Sequence, residues 1–167
     1  MLYTSAEAAK LLRQLNEDYQ SLLRDERERR SFLACMGEDI ESVRPEYVYR
    51  DTQDKIDSIE KRIRKIKHAI NVFNTTHKIP GFDMTVDEAL VYIPQLSEKK
   101  SKLFEMRSAL PKKREAATSR TTYVVDYRYA NYDIEEADAD YRKVSEELSA
   151  VQNGLDVLNN TEKFEID

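Results

Sequence analysis

From Tyr49 onward, apolar or small residues recur at Tyr49, Thr52, Ile56, Ile59, Ile63, Ile66, Ile70 and Phe73, in alternating steps of three and four. On a helix that spacing draws a single stripe, so it predicts a coiled-coil-like seam helix packed against a partner. The same spacing returns at Ala137, Tyr141, Val144, Leu148, Val151, Leu155 and Leu158. Asp133 is the expected N-cap of this second seam helix, with Glu136 three residues later.

A less regular helix precedes each seam, and each opens with a Thr-x-x-Glu capping box, Thr4 with Glu7 and Thr85 with Glu88. The first carries Ala8, Leu12, Leu15, Tyr19 and Leu22 on one face. Glu26 and Arg29 then stand where the stripe should continue, and Leu33 and Met36 restore it. The second carries Ala89, Ile93, Leu96, Leu103 and Leu110, interrupted by Lys100 and Arg107. Pro94 lies inside it and should kink it, because proline lacks a donor and crowds the carbonyl four residues back. Pro111 should end the helix or bend it again.

The two halves resemble one another. Thr4 to Leu15 matches Thr85 to Leu96 at Thr, Glu, Ala, Gln and Leu with an offset of 81, and Ala69 to Thr76 matches Gly154 to Thr161 at Val, Asn and Thr with an offset of 85. Heptads alone would not align Asn74 with Asn159, so the pattern reads as a helical hairpin used twice. The expected fold is mainly α, an antiparallel four-helix bundle forming one domain over residues 1–167, with the repeat at about 4–76 and 85–161. The termini and the His77 to Met84 connection belong at one end. The connections Gly37 to Pro45 and Thr118 to Tyr132 belong at the other. The latter contains Thr121 to Tyr129, rich in β-branched and aromatic residues, which predicts a short strand or hairpin between the third and fourth long helices. Its unpaired backbone must find Asp39 to Tyr49 or a second subunit, and the tail Lys163-Phe-Glu-Ile166 poses the same question.

Composition agrees with long helices, since the 167 residues hold only three glycines and four prolines. Gly37, Gly81 and Gly154 are each alone, which excludes the clustered glycines of phosphate loops and dinucleotide folds. A net charge of −5 from 27 basic and 32 acidic groups makes a mixed surface, so nucleic acid is not the default partner. The N-terminal segment does not read as a signal peptide, and no apolar run approaches the ~20 residues of a membrane span. With Cys35 as the single cysteine, a cytoplasmic protein without disulfides is expected.

Candidate chemistry is sparse. Neither His68 nor His77 has a Glu three residues earlier, as a di-iron bundle site would need. His68 reads as a solvated side chain and His77 as a helix cap. Cys35 has no local acid–base partner. The run Asp133 to Asp140 lacks the glycine and terminal glutamate of a calcium loop. Asn74 and Asn159 begin formal glycosylation sequons but read as helix-end residues. No metal, cofactor or catalytic group is expected. The strongest binding candidate is the end holding the predicted strand, where Tyr47, Tyr49, Tyr123, Tyr127 and Tyr129 interleave with Arg44 and Arg128. Such residues can stack bases and hold phosphates, although the acidic residues nearby favour ion pairs and protein contact. Glu26 and Arg107 occupy equivalent repeat positions on the seams, and a Glu26 contact with Arg107 or Arg29 would fix register.

Ile70-Asn-Val-Phe-Asn-Thr-Thr76, Thr85-Val-Asp-Glu-Ala-Leu90 and the Val151-Gln152 to Asn159 ending together resemble the septicolysin-like family of bacterial helical proteins. The resemblance covers most of the chain, implies a helical fold and supplies no site residues. The family name implies a cytolysin acting on membranes. The functional expectation is a non-catalytic helical module that associates with itself or with another protein. Nucleic-acid or anion binding through the Tyr/Arg end is the alternative, and cytolysin-like membrane activity is a third reading carried by the family name.

Overall fold

The fold comes from a computed structural model that describes residues 1–115 and 125–166. It is mainly helical, with four long helices packed in pairs and small two-stranded sheets. In chain order the elements are β1 (Leu2–Thr4), α1 (Ser5–Arg29), α2 (Ile40–Val43), α3 (Tyr49–Thr76), α4 (Val86–Arg107), β2 (Lys112–Arg114), β3 (Tyr127–Tyr129), α5 (Ile134–Thr161) and β4 (Lys163–Glu165). The chain falls into two compact units, one of Met1–His77 with Leu158–Asp167 and one of Lys78–Val157.

In the first unit α1 packs against α3. Ala8, Leu15, Ile66 and Ile166 form its buried cluster, and Tyr3, Leu11, Leu12, Ile59, Ile63 and Phe164 pack against them. β1 and β4 close the unit as an antiparallel pair in the register Leu2 to Glu165, Tyr3 to Phe164 and Thr4 to Lys163, so the tail strand finds its partner at the N-terminus. In the second unit α4 packs against α5. Val86, Ala89, Leu96 and Leu103 are buried from one helix and Ala137, Val144, Leu148 and Val151 from the other. Of the seam residues read from the spacing, Ile56, Ile66, Phe73, Ala137, Val144, Leu148, Val151 and Leu158 are buried, Ile66 and Val151 wholly so, while Tyr49 at the start of α3 is exposed.

Both capping boxes form. Thr4 Oγ1 accepts from the Glu7 amide at 3.2 Å while Glu7 Oε2 accepts from the Thr4 amide at 2.9 Å. Glu88 and Thr85 repeat the exchange at 3.2 and 2.6 Å. The threonine amides hold both glutamates below the ordinary carboxylate pKa, so the glutamate half of each box contributes fully above that value and is lost as pH falls through the lowered one, while the threonine half is unaffected. Thr4→Ala and Thr85→Ala should each lower stability by about 1 kcal/mol, read as a reduced urea midpoint with an unchanged slope. Asp133 caps α5 as expected, accepting from the Glu135 amide at 2.8 Å.

The correspondence between the two halves of the sequence extends to the backbone pairing. Lys78 bridges Thr85 in antiparallel fashion and the Ile79 amide donates to the Met84 carbonyl at 2.9 Å. Moved by the sequence offsets of 85 and 81, these residues become Lys163 with Thr4 and Phe164 with Tyr3, the pairs that join β4 to β1. The turn leading into α4 in the second unit thus corresponds to the sheet that closes the first. Burial follows the same offsets at Ala8 and Ala89, Leu15 and Leu96, Ile66 and Val151, and Phe73 and Leu158.

Three expectations need correction. α1 ends at Arg29, with the Arg30 amide donating to the Glu26 carbonyl, and Leu33 and Met36 are 96% and 107% exposed. Helices persist in proteins where a face is buried, and that face runs out at Glu26 and Arg29. Likewise α4 ends at Arg107, leaving Leu110 exposed. The described part of the predicted strand does not pair with Asp39 to Tyr49. That part, β3, pairs antiparallel with β2, Tyr127 opposite Arg114 and Tyr129 opposite Lys112. The N-terminal part of that expected strand lies outside the described residues.

Candidate functional site

The aromatic and cationic residues singled out by the sequence fall into two groups, one in each unit. In the first unit, residues 30–48 join α1 to α3. A turn at Gly37, whose φ of +86° suits glycine, is closed by the Glu38 amide on the Cys35 carbonyl at 3.0 Å and by the Cys35 amide on Glu38 Oε2 at 2.8 Å. Asp39 caps α2 by accepting from the Glu41 amide at 3.2 Å. Arg44 pairs with Glu41 at 2.9 Å and lies 5.7 Å from the Phe32 ring centre. Tyr47 donates its hydroxyl to Glu26 Oε1 at 3.1 Å, and Gln53 Nε2 donates to the same oxygen at 2.6 Å. Burial pushes the Tyr47 hydroxyl pKa up, and the bond to Glu26 adds to the rise. Tyr49 is exposed, as are Phe32, Leu33, Met36, Ile40 and Val48.

The second group is the β2–β3 ribbon. Lys112 Nζ lies 4.2 Å from the Tyr127 ring centre and 5.4 Å from that of Tyr129. Arg128 pairs with Glu115. Tyr132 donates to the Met106 carbonyl at 2.8 Å, satisfying a backbone acceptor in the last turn of α4. An open groove of about 550 Å³ beside the ribbon is lined by Leu110, Lys113, Arg128, Tyr129, Ala130 and Tyr132 among others. Tyr123 lies outside the described residues.

The two seam charges belong to different units, and each has partners in its own. Glu26 takes the Tyr47 and Gln53 bonds given above. Arg107 pairs with Asp138 at 3.1 Å and its guanidinium lies 4.3 Å from the Tyr141 ring centre. Glu26 and Arg107 are thus each answered locally, by polar, charged or aromatic neighbours within one hairpin.

His68 is exposed. His77 caps α3, its amide donating to the Phe73 carbonyl at 3.0 Å, and its ring stacks on Phe73 with centres 4.1 Å apart. Cys35 is a free, exposed thiol. Among the described residues no group of three or more His, Cys, Asp or Glu side chains could hold a metal ion, and none of the described helices is long and apolar enough to cross a membrane.

Sequence reasoning passed over one surface feature. Residues 61–68 of α3 read Lys-Arg-Ile-Arg-Lys-Ile-Lys-His, five Lys or Arg in eight positions without an acid. The composition of that window signals it, but the three-and-four seam running through the same residues masks it.

Together these features define a mainly helical protein of two hairpins finished by small sheets, whose exposed chemistry is aromatic and charged. Among solved structures it is similar to the crystal structure of a functionally unknown conserved protein from Corynebacterium diphtheriae. The two align with a TM-score of 0.60 and 16% identity over 99% of this chain and 100% of that one, a likeness of fold. No family model and no curated protein matches the chain.

Proposed function

We propose that the protein is a non-catalytic helical interaction module that associates with further copies of itself. The loop between α1 and α3 of one copy would receive the β2–β3 ribbon of another. The observation that carries this reading is the apolar surface on the loop, where Phe32, Leu33, Met36, Ile40 and Val48 are exposed within one short segment. Clustered exposed apolar side chains mark contact surfaces, whereas scattered ones need no explanation. Charge complementarity selects a second copy as the occupant. Residues 31–48 carry Glu38, Asp39, Glu41 and Glu46 against Arg44. The described residues of the ribbon and its flanks, 108–115 and 125–132, carry Lys112, Lys113, Arg114 and Arg128 against Glu115 and Asp126. Opposite fields steer encounter and fix orientation, while the apolar and aromatic side chains supply the buried area.

Light scattering across a concentration series tests the proposal. The expected result is a mass that rises with concentration and falls with added salt. Leu33→Asp and Met36→Asp, both at exposed positions, should shift the protein to monomer without lowering its melting temperature. The reversal Lys112→Glu with Lys113→Glu should do the same, and Glu38→Lys with Asp39→Lys in that background should restore association. A monomer throughout the series would overturn the reading. A cytoplasmic setting belongs to this proposal, supported by the exposed unpaired thiol of Cys35. So does kinship with the septicolysin-like proteins, supported by Ile70 to Thr76, Thr85 to Leu90 and Val151 to Asn159. Dye leakage from liposomes tests the membrane activity that the family name implies.

A further inference from the structure

We propose that the groove running along α3 of the first unit binds single-stranded nucleic acid, a site separate from the two surfaces above. Lys61, Arg62 and Lys65 line an open cavity of about 380 Å³ together with Ser58, Met1 and Tyr3. Lys65 also lines the next cavity along the helix, about 510 Å³, whose walls include His68, Val72, Phe73, His77 and Phe164. Positions 58, 61, 65, 68, 72 and 76 repeat at helical spacing and present one face, so the two cavities form a track that is cationic at one end and aromatic at the other.

The cations are not explained by the fold. Among the described residues Arg64 has Glu60 at 3.7 Å, while Lys61, Arg62 and Lys65 have no carboxylate within ion-pair distance. Like charges one turn apart destabilise a helix. The repeat supplies an internal control. At the offset of 85 the counterparts of Lys61, Arg62 and Lys65 are Glu146, Glu147 and Ala150, and α5 forms and buries its seam with those residues. A seam helix of this kind therefore has no need of the basic cluster.

The aromatic end decides the ligand class. Phe73 stacks on His77, and the Phe73 and Phe164 ring centres are 4.9 Å apart, so Phe164 and His77 offer half-buried ring surface in the cavity wall. A base seated there would stack while its phosphates lie along Lys65, Arg62 and Lys61, the arrangement by which sequence-tolerant single-strand binders work. A lipid surface fits less well. Membrane-surface helices protrude an apolar face, whereas these rings line a concavity. Glu165 also lines the aromatic cavity and disfavours a phosphate at that end, which places the backbone toward Lys61.

Fluorescence anisotropy with labelled oligo-dT and oligo-rU tests the site. Binding should weaken with salt, log K falling by about 2 per decade for three neutralised phosphates on a single strand. K61Q/R62Q/K65Q should lose at least tenfold in affinity at low salt. Phe164→Leu should lose about tenfold with the salt slope unchanged, since one base loses its stacking partner and no phosphate contact is touched. The charge-matched control K99Q/K102Q/K143Q in the second unit should bind as the parent does, and circular dichroism melts establish that every variant is folded. Equal loss in the control would overturn the proposal, as would absence of binding at low salt. Retention of anionic liposomes without oligonucleotide binding would also overturn it. Inorganic polyphosphate competing equally well, with Phe164→Leu unchanged, would reduce the groove to a general polyanion site and overturn its assignment to nucleic acid.

Discussion

Replacing Ile66 with Asp should abolish cooperative folding of the first unit. Ile66 is wholly inaccessible and sits in the cluster with Ala8, Leu15 and Ile166. Truncating such a side chain to alanine costs about 2–5 kcal/mol, and a carboxylate adds the penalty of a buried charge with no partner. Since whole domains are stable by only about 5–15 kcal/mol, the far-ultraviolet melt of Ile66→Asp should lose much of its amplitude or shift to far lower temperature. Lys67→Asp is the control, because Lys67 is exposed on the next position of the same helix and should change stability by no more than about 0.5 kcal/mol. A melt of Ile66→Asp matching that of the parent would show that the seam does not hold the hairpin together.

That prediction rests on signals readable in the chain itself. Capping boxes and three-and-four spacing are local, involving residues within one or two turns, so Thr4, Thr85, Ile66 and Val151 disclose their roles without knowledge of any partner. The helix ends were less legible. Leu33 and Met36 keep the correct phase, but a helix does not continue on phase alone once Glu26 and Arg29 leave no apolar face to bury. β2 gives no sign of itself, because Lys112-Lys113-Arg114 has neither alternation nor β-branched residues and becomes a strand only through its pairing with β3. Partner choice is nonlocal, which is also why the sequence does not disclose the pairing of Glu26 with Tyr47 or of Arg107 with Tyr141. The seam explained each charge as an interruption, and only the fold supplies the neighbours that answer it.

Gly154→Leu should destabilise the second unit by about 3 kcal/mol, the upper part of the usual range for overpacking a filled interior. A Cβ built at Gly154 would stand 2.7 Å from Ile79 Cγ2 and 3.3 Å from the Pro80 carbonyl oxygen. Ile79 is 1% exposed and fixed by the Ile79 to Met84 backbone bond described above. Its branched side chain therefore has little room to withdraw. Glycine inside a helix costs about 1 kcal/mol relative to alanine, so its presence in α5 is explained by this close approach. Gly154→Ala regains the helix propensity but meets the same methyl group, and the balance should be a loss of about 1 kcal/mol. The corresponding place in the first unit is filled differently, with Ala69 on α3 and Phe164 on β4 at the offset of 85. If the contact with Ile79 is the cause, Ile79→Ala in the Gly154→Leu background should recover more than half of the loss, a coupling measurable by a double-mutant cycle. Additive losses in that cycle would mean that the cost of the larger side chain arises against the Pro80 backbone, which no side-chain change at position 79 can relieve.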